Sequence, residues 1–172
     1  QVSKLNRNAG DHKIRNTLRL VPMAEGEINQ ACVSGSPETV KQLVQTNSGL
    51  VTKHNRYGVP PLSVACSVGR FDVAKVLVEA LKPTNDCTLK EFLEQKVCVR
   101  ESETELASLD DCDTPLHECA AYGHCEGLKW LLECGVSPAC IDGRGATALH
   151  TACTNDKLDV AACLIGCGVD PT

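Results

Sequence analysis

One phrase recurs along this chain, and the recurrence leaves few architectures open to it. It reads Val59-Pro60-Pro61-Leu62-Ser63-Val64-Ala65-Cys66, then Asp113-Thr114-Pro115-Leu116-His117-Glu118-Cys119-Ala120, then Ala146-Thr147-Ala148-Leu149-His150-Thr151-Ala152-Cys153. A sparser copy, Gly26-Glu27-Ile28-Asn29-Gln30-Ala31-Cys32, sets Ile28 where the others place Leu62, Leu116 and Leu149. Leu116 and Leu149 lie 33 residues apart. A fixed period of this size marks a stack of like supersecondary units. Aromatic residues make up only 3% of the chain, too few for the bulky centre of a globular domain.

Each copy opens with a helix-start signal. Thr114 is expected to cap the helix with its hydroxyl, and Pro115 takes the first helical position, where no N–H is required. In the second copy Pro60 replaces the Thr and Ser63 the His, so that loop loses hydrogen-bonding capacity. The leucine and the small pair after it fall on one face of a short helix and let neighbouring helices approach closely. A turn is expected near Gly35, Gly69 and Gly123, with Asp156, which tolerates positive φ, in the fourth copy. A second helix follows, striped by Val40/Leu43/Val44, Val73/Val76/Leu77, Leu128/Leu131/Leu132 and Val160/Leu164/Ile165. Gly135 and Gly168 read as its C-terminal stops. One such unit cannot bury its apolar faces alone, but stacked units can.

The period and the Thr-Pro-Leu-His phrase resemble the ankyrin repeat family over about residues 24–172. The resemblance implies an all-α solenoid of four repeats, about 24–54, 55–81, 109–141 and 142–172, with β-hairpin-like loop fingers on one edge. His117 and His150 match the family's loop-bracing histidine. The function implied is non-enzymatic: an adaptor or scaffold binding a partner peptide or domain through loop tips and the concave face. The alternative is the regulatory repeat region of a larger multidomain signalling enzyme such as a kinase or ubiquitin ligase. Carried over position by position, the partner-facing residues are Arg56, Tyr57 and Val64 in the second repeat. In the third they are Asp110, Asp111, Asp113, Glu118 and Tyr122, and in the fourth Arg144, Thr151 and Asn155. The acids of the third repeat, beside Tyr57 and Tyr122, imply a protein partner with a basic segment; the other reading is that they only keep the chain in solution. Asparagine hydroxylation, known in the family, is not expected, because Ala139 and Thr172 occupy the matching positions.

Two segments fall outside the repeat pattern. Residues 1–23 carry Lys4, Arg7, Lys13, Arg15 and Arg19, with Ile14, Leu18 and Val21 at helical spacing. They read as a capping helix or a basic extension. Between the second and third repeats the next phrase arrives about 21 residues late, leaving an insertion at about 82–108. It holds an expected helix with Thr88 as N-cap and Glu91 completing a capping box, with Leu89, Phe92 and Leu93 on one side. The run Glu101-Ser102-Glu103-Thr104-Glu105 follows, as a tolerated surface loop or as part of a binding face.

The chemistry that could make the chain an enzyme is missing from its motifs. It has no Gly-rich phosphate loop, no Cys-x-x-Cys and no His-Glu-x-x-His. Cys163 and Cys167 stand four apart, but a structural zinc site needs four ligands. No catalytic, cofactor or metal residue is therefore expected. Of the 12 cysteines, Cys32, Cys66, Cys119 and Cys153 fall in the small-residue pair and are expected to be buried as slightly enlarged alanines. That placement suits the reducing cytosol or nucleus; a thiol-based redox or metal sensor is a third reading. The net charge of −5 argues against bulk nucleic-acid binding. No leader and no run of apolar residues long enough to span a membrane is expected. Gln1 is not an initiator, so the chain reads as a piece of something longer, monomeric as a fragment. The apolar last helix is expected to be covered by further repeats or by another element.

Overall fold

The computed structural model describes residues 26–55, 58–81, 86–94, 97–98 and 112–169. The basic segment at 1–23, the acidic run at 101–105, and Arg56, Tyr57, Asp110 and Asp111 lie outside the described residues. Four helix pairs follow one another: Glu27–Ser34 (α1) with Pro37–Thr46 (α2), and Pro61–Ser67 (α3) with Phe71–Leu81 (α4). After an intervening helix, Asp86–Leu93 (α5), come Pro115–Tyr122 (α6) with Cys125–Glu133 (α7), and Ala148–Thr154 (α8) with Leu158–Gly166 (α9). A 3₁₀ turn, Ser48–Thr52, follows α2 and buries Val51.

The first helices of the pairs form a row, α1 on α3, α3 on α6 and α6 on α8, and the second helices pack behind it. The row closes on small side chains. Ala31, Cys32, Ala65, Cys66, Cys119, Ala120 and Ala152 are all buried. Cys153 is the exception and corrects the expectation of four buried thiols: it is exposed. Its counterparts Cys66 and Ala120 are covered by the next helix of the row, whereas α8 is the last one described. The second-helix stripes are buried at Val40, Val44, Val73, Leu77, Leu128, Leu131, Val160 and Leu164. Ile165 departs from its stripe at 51% exposed, and Leu158 on the same helix is 75% exposed.

The helix stops follow one geometry. Gly135 and Gly168 adopt φ of 91° and 84°, and Val136 and Val169 donate their N–H groups to the carbonyls of Leu131 and Leu164. This is the six-residue αL termination, with the apolar residue after the glycine packed back on the core. Gly69, Gly123 and Asp156 turn the first helices in the same left-handed way, at 74°, 85° and 55°. Gly35 does not, with φ of −80°. Glycine is needed there for room, because a Cβ would sit 2.5 Å from the Ala31 carbonyl oxygen.

The insertion is not a plain surface loop. Its helix α5 begins at Asp86, so Thr88 lies inside it rather than at the N-cap. Phe92 and Leu93 are buried in the common core, and the Glu94 carboxylate accepts the Ser137 N–H at 2.9 Å. The chain then enters a two-stranded antiparallel ladder, Val97–Cys98 (β1) with Cys112–Asp113 (β2), which pairs Val97 with Asp113 and Cys98 with Cys112. Asp113 corresponds to Val59 and Ala146 in the recurring phrase, so β1 and β2 are the arms of the third loop finger.

Packing of the second pair on the third depends on a missing side chain. Phe71 of α4 lies against Gly127 of α7, and a Cβ at Gly127 would run into the Phe71 ring. Gly127→Ala is expected to destabilise the fold by about 1–3 kcal/mol through overpacking. Phe71→Leu in the same chain should recover part of that loss. Urea denaturation of the two single variants and the double variant checks the coupling; additive effects would show that the contact is not tight.

Candidate functional site

The finger tips are held by side chains near their bases. In the second finger Asn55 N–H donates to the Val59 carbonyl at 3.0 Å, and Asn55 Oδ1 accepts the Val59 N–H at 2.9 Å. The fourth finger repeats this with an acid. Asp142 N–H donates to the Ala146 carbonyl at 2.9 Å, and Asp142 Oδ1 accepts the N–H groups of Ala146 and Arg144 at 2.7 and 2.9 Å. Gly58 and Gly145 complete the two turns at φ of 81° and 80°. Burial pushes the Asp142 carboxyl pKa up, but the Ala146 N–H and the Arg144 side chain and N–H together outweigh it and hold the pKa below the ordinary value. Arg144 Nε and Nη2 donate to Asp142 Oδ2 at 3.2 and 3.1 Å. The Arg144 side chain stays 44% exposed, so the tip presents a guanidinium that is already oriented.

The second and fourth fingers are each tied to the repeat before them. His117 is fully buried; its Nε2 lies 2.9 Å from the Ala146 carbonyl and its Nδ1 2.7 Å from the Thr114 hydroxyl. A carbonyl only accepts, so Nε2 carries the proton and Nδ1 accepts from Thr114. The Thr114 hydroxyl thus serves the imidazole rather than the helix N-terminus, where it makes no capping bond. Asn29, the counterpart of His117 in the first repeat, reaches the Val59 carbonyl at 3.5 Å. Ser63, at the same place in the second repeat, is too short for such a reach, and its buried hydroxyl has no partner. His150 is exposed; its Nδ1 meets the Thr147 hydroxyl at 2.8 Å.

A second set of ties runs backward at the opposite end of the first helices. Arg70 Nη2 donates to the Gly35 carbonyl at 2.7 Å, and His124 Nε2 lies 3.1 Å from the Ser67 carbonyl. Lys157, the next in this series, lays its aliphatic chain across Gly123.

These arrangements revise the partner-facing set. Val64, Asp113, Glu118 and Thr151 are buried, Glu118 to 1% and Asp113 to 9% exposed, and side chains so enclosed offer little surface to a partner. The cause is local in each case. Every residue of α3 is buried, with α1 and α6 on either side and α4 and the 3₁₀ turn packed on it. Glu118 belongs to α6, in which Pro115 to Ala120 are all buried between α3 and α8. Asp113 is drawn into the β1–β2 ladder, and the Thr151 hydroxyl turns back to the Thr147 carbonyl at 3.3 Å. Tyr122 is half-buried with its ring stacked on His124, centroids 6.2 Å apart. Asn155 donates its side-chain amide to the Thr151 carbonyl at 2.8 Å. Arg144 remains the exposed member of the set among the described residues. Asn55 and Asp142 were missed, although the sequence carries their signal: an Asx residue four before the phrase's first residue, with glycine between.

The thiol chemistry is quiet where it is buried. Burial, aided by the neighbouring Cys66, pushes the Cys32 thiol pKa up to about 12, and Cys119 is raised for the same two reasons. Such thiols are poor nucleophiles. Among the described residues no three His, Cys, Asp or Glu side chains gather as metal ligands. No described helix is long and apolar enough to cross a membrane.

Comparison with known proteins agrees with this geometry. Residues 80–172 match the family description "Ankyrin repeats (3 copies)". The chain belongs to the ankyrin-repeat family. Its all-α stack of paired helices with finger loops is that family's solenoid, and ankyrin repeats are protein-interaction modules. Two larger proteins contain similar stretches. The "Transient receptor potential cation channel subfamily A member 1 homolog" of Caenorhabditis elegans is 28% identical over 80% of this chain and 12% of its own length. The "E3 ubiquitin-protein ligase KEG" of Arabidopsis thaliana is 24% identical over 95% of this chain and 9% of its own length. The ankyrin chain thus spans about a tenth of the length of each.

The brace at His117 makes this ankyrin stack sensitive to acid. Burial holds the His117 pKa below the usual 6.5, against the opposing pull of the Ala146 hydrogen bond and of Asp113 and Asp142. As pH falls through about 6.5 the unfolded chain takes up a proton that the folded chain refuses, so stability is present above that pH and declines below it. His54 is lowered by burial and adds to the trend. The urea midpoint should drop between about pH 7.5 and 5.5, and drop less in His117→Asn, whose amide can still reach the carbonyl as Asn29 does. His117→Ala should cost about 1–3 kcal/mol at neutral pH by removing the imidazole partner of the buried Thr114 hydroxyl and one of the two donors to the Ala146 carbonyl. Equal pH slopes for wild type and His117→Asn would refute the account.

Proposed function

We propose that the chain works as an adaptor that recognises a partner protein through its finger tips. The observation that carries this is the pair of side-chain latches at Asn55 and Asp142, which fix two fingers before any partner arrives. A surface ordered in advance loses little entropy on binding. In sequence order the residues before each recurring phrase alternate in sign: Arg56 with Tyr57, then Asp110 with Asp111, then Arg144. The partner we infer is a segment with a basic stretch facing Asp110 and Asp111, flanked by carboxylates or hydroxyls for Arg56 and Arg144. Asp113 and Glu118, being buried, play no part in it.

The length of the relatives favours a second reading: the chain is the regulatory repeat region of a larger protein, such as a ligase or kinase, and its partner is another part of that same protein. The fingers would serve either role.

Capture from cell lysate distinguishes finger binding from other surfaces. Wild type, Arg144→Glu, Asp110→Lys/Asp111→Lys and a control on the outer helix α7, Glu133→Lys, are compared after circular dichroism shows that all are folded. A partner held by wild type and control, and weakened by about 2 kcal/mol in both finger variants, supports the proposal. Loss of that binding as salt rises past about 0.15 M would support the charged contacts. Equal capture by all four proteins would move the binding surface away from the fingers.

A further inference from the structure

The last described helix carries two thiols on one face. Cys163 lies in α9 and Cys167 caps it, and the Cys167 N–H donates to the Cys163 carbonyl at 3.0 Å. That bond closes an α-helical turn between the two residues. Their side chains therefore stand one above the other, with Cβ atoms about 5–6 Å apart. Cys163 is half-buried and Cys167 exposed. No other two cysteines of the sequence stand three or four residues apart. Helix α7 packs against α9, and its Lys129 and Cys125 are close enough to act electrostatically on the Cys163 thiol.

We propose that Cys163 and Cys167 form a two-thiolate site for copper(I), a soft cation satisfied by two ligands. The inference is independent of the fingers and of the partner proposed above. Thiolate ligands select soft ions such as copper(I) over magnesium or calcium. With a thiolate–metal bond of about 2.3 Å, as in zinc sites, a linear two-coordinate ion holds its sulfurs about 4.6 Å apart. Two thiols one helical turn apart meet that span by rotating about χ1 alone. Structural zinc, by contrast, takes four ligands, and among the described residues not even three His, Cys, Asp or Glu side chains gather. The pair serves an ion that needs two donors and fails one that needs more.

Binding displaces a proton from each thiol. One copper(I) and two thiols give a bis-thiolate complex of charge −1 and release two protons, with the oxidation state of the metal unchanged. Burial raises the Cys163 pKa and the neighbouring Cys167 raises it further, so the proton on Cys163 is the one that resists removal. Lys129 pulls that pKa the other way, and its ammonium offsets the negative charge of the complex. The remaining described cysteines are less suited. Cys32, Cys66 and Cys119 are buried in the helix row. Cys153 is exposed, but its helical neighbour three residues back is His150, whose Nδ1 already meets the Thr147 hydroxyl.

The test titrates the whole reduced chain with copper(I) under nitrogen, against the chromogenic chelator bicinchoninate. Thiols left free at each step are alkylated and mapped. Trypsin cuts after Arg144 and Lys157, so Cys163 and Cys167 share peptide 158–172 while Cys153 lies on peptide 145–157. The first equivalent should protect both thiols of 158–172 together and leave Cys153 reactive. Its affinity should fall more than about 100-fold in Cys163→Ser and in Cys167→Ser, since even an outer-shell partner is worth about 10–100-fold. Lys129→Gln should weaken it by about 2–5-fold, and Cys153→Ser should leave it unchanged, with circular dichroism showing every variant folded. Bound copper should also slow amide exchange from Cys167 to Val169, an effect absent from the double serine variant. Two outcomes would overturn the proposal: protection of Cys153 ahead of peptide 158–172, or a Cys163→Ser/Cys167→Ser chain that takes the first equivalent as tightly as wild type.

Discussion

A buried imidazole that donates to the main chain of the next repeat fixes how helices and fingers meet in this protein. His117 cannot leave its site without giving up its bond to the Ala146 carbonyl, and the carbonyl cannot move without breaking the turn that Asp142 organises. Close approach of the first helices on Ala and Cys side chains supplies the apolar burial, but that burial has no direction along the row. The hydrogen bond gives it one. It sets the height of the fourth finger relative to the helix behind it, and Asn29 does the same for the second at the Val59 carbonyl.

The backward ties complete the frame from the opposite end. Arg70 and His124 sit just after a left-handed turn, each with a carbonyl of the preceding repeat in reach. Between the two sets the stack is held at both ends of its first helices, and the tips can carry variable residues without loosening the row. Arg144 shows the result: an exposed guanidinium whose position is decided by a buried carboxylate two residues away.

Much of this was legible in the sequence. The phrase located the first helices, the spacing of Val40, Val73, Leu128 and Val160 located the second, and Gly135 and Gly168 stopped them as expected. Periodicity assigns a residue to a face; it does not say whether a neighbour covers that face. Val64, Glu118 and Thr151 were therefore read as open and are closed, while Cys153 and Ile165 were read as closed and are open. Thr88 offered a capping signal, yet the helix begins earlier, at Asp86. The finger latches were visible as an Asx residue followed three later by glycine, but the functional pattern drew attention to the tips instead. The third finger was hidden for another reason: its first arm is separated from its second by a stretch long enough to pass for an independent loop.

The acceptor in each forward tie is a backbone carbonyl, and that choice bears on how such an array changes over generations. No substitution in the neighbour can delete a main-chain oxygen, so a tie survives as long as one side chain keeps a donor of sufficient reach. Asn29 and His117 show two residue types filling the post, and Ser63 shows a repeat that has given it up while its helix stays packed in the row. Repeats built this way need not co-vary with their neighbours. They can be duplicated, lost or diversified one at a time, with selection acting on the tips of each finger separately from the frame that carries it.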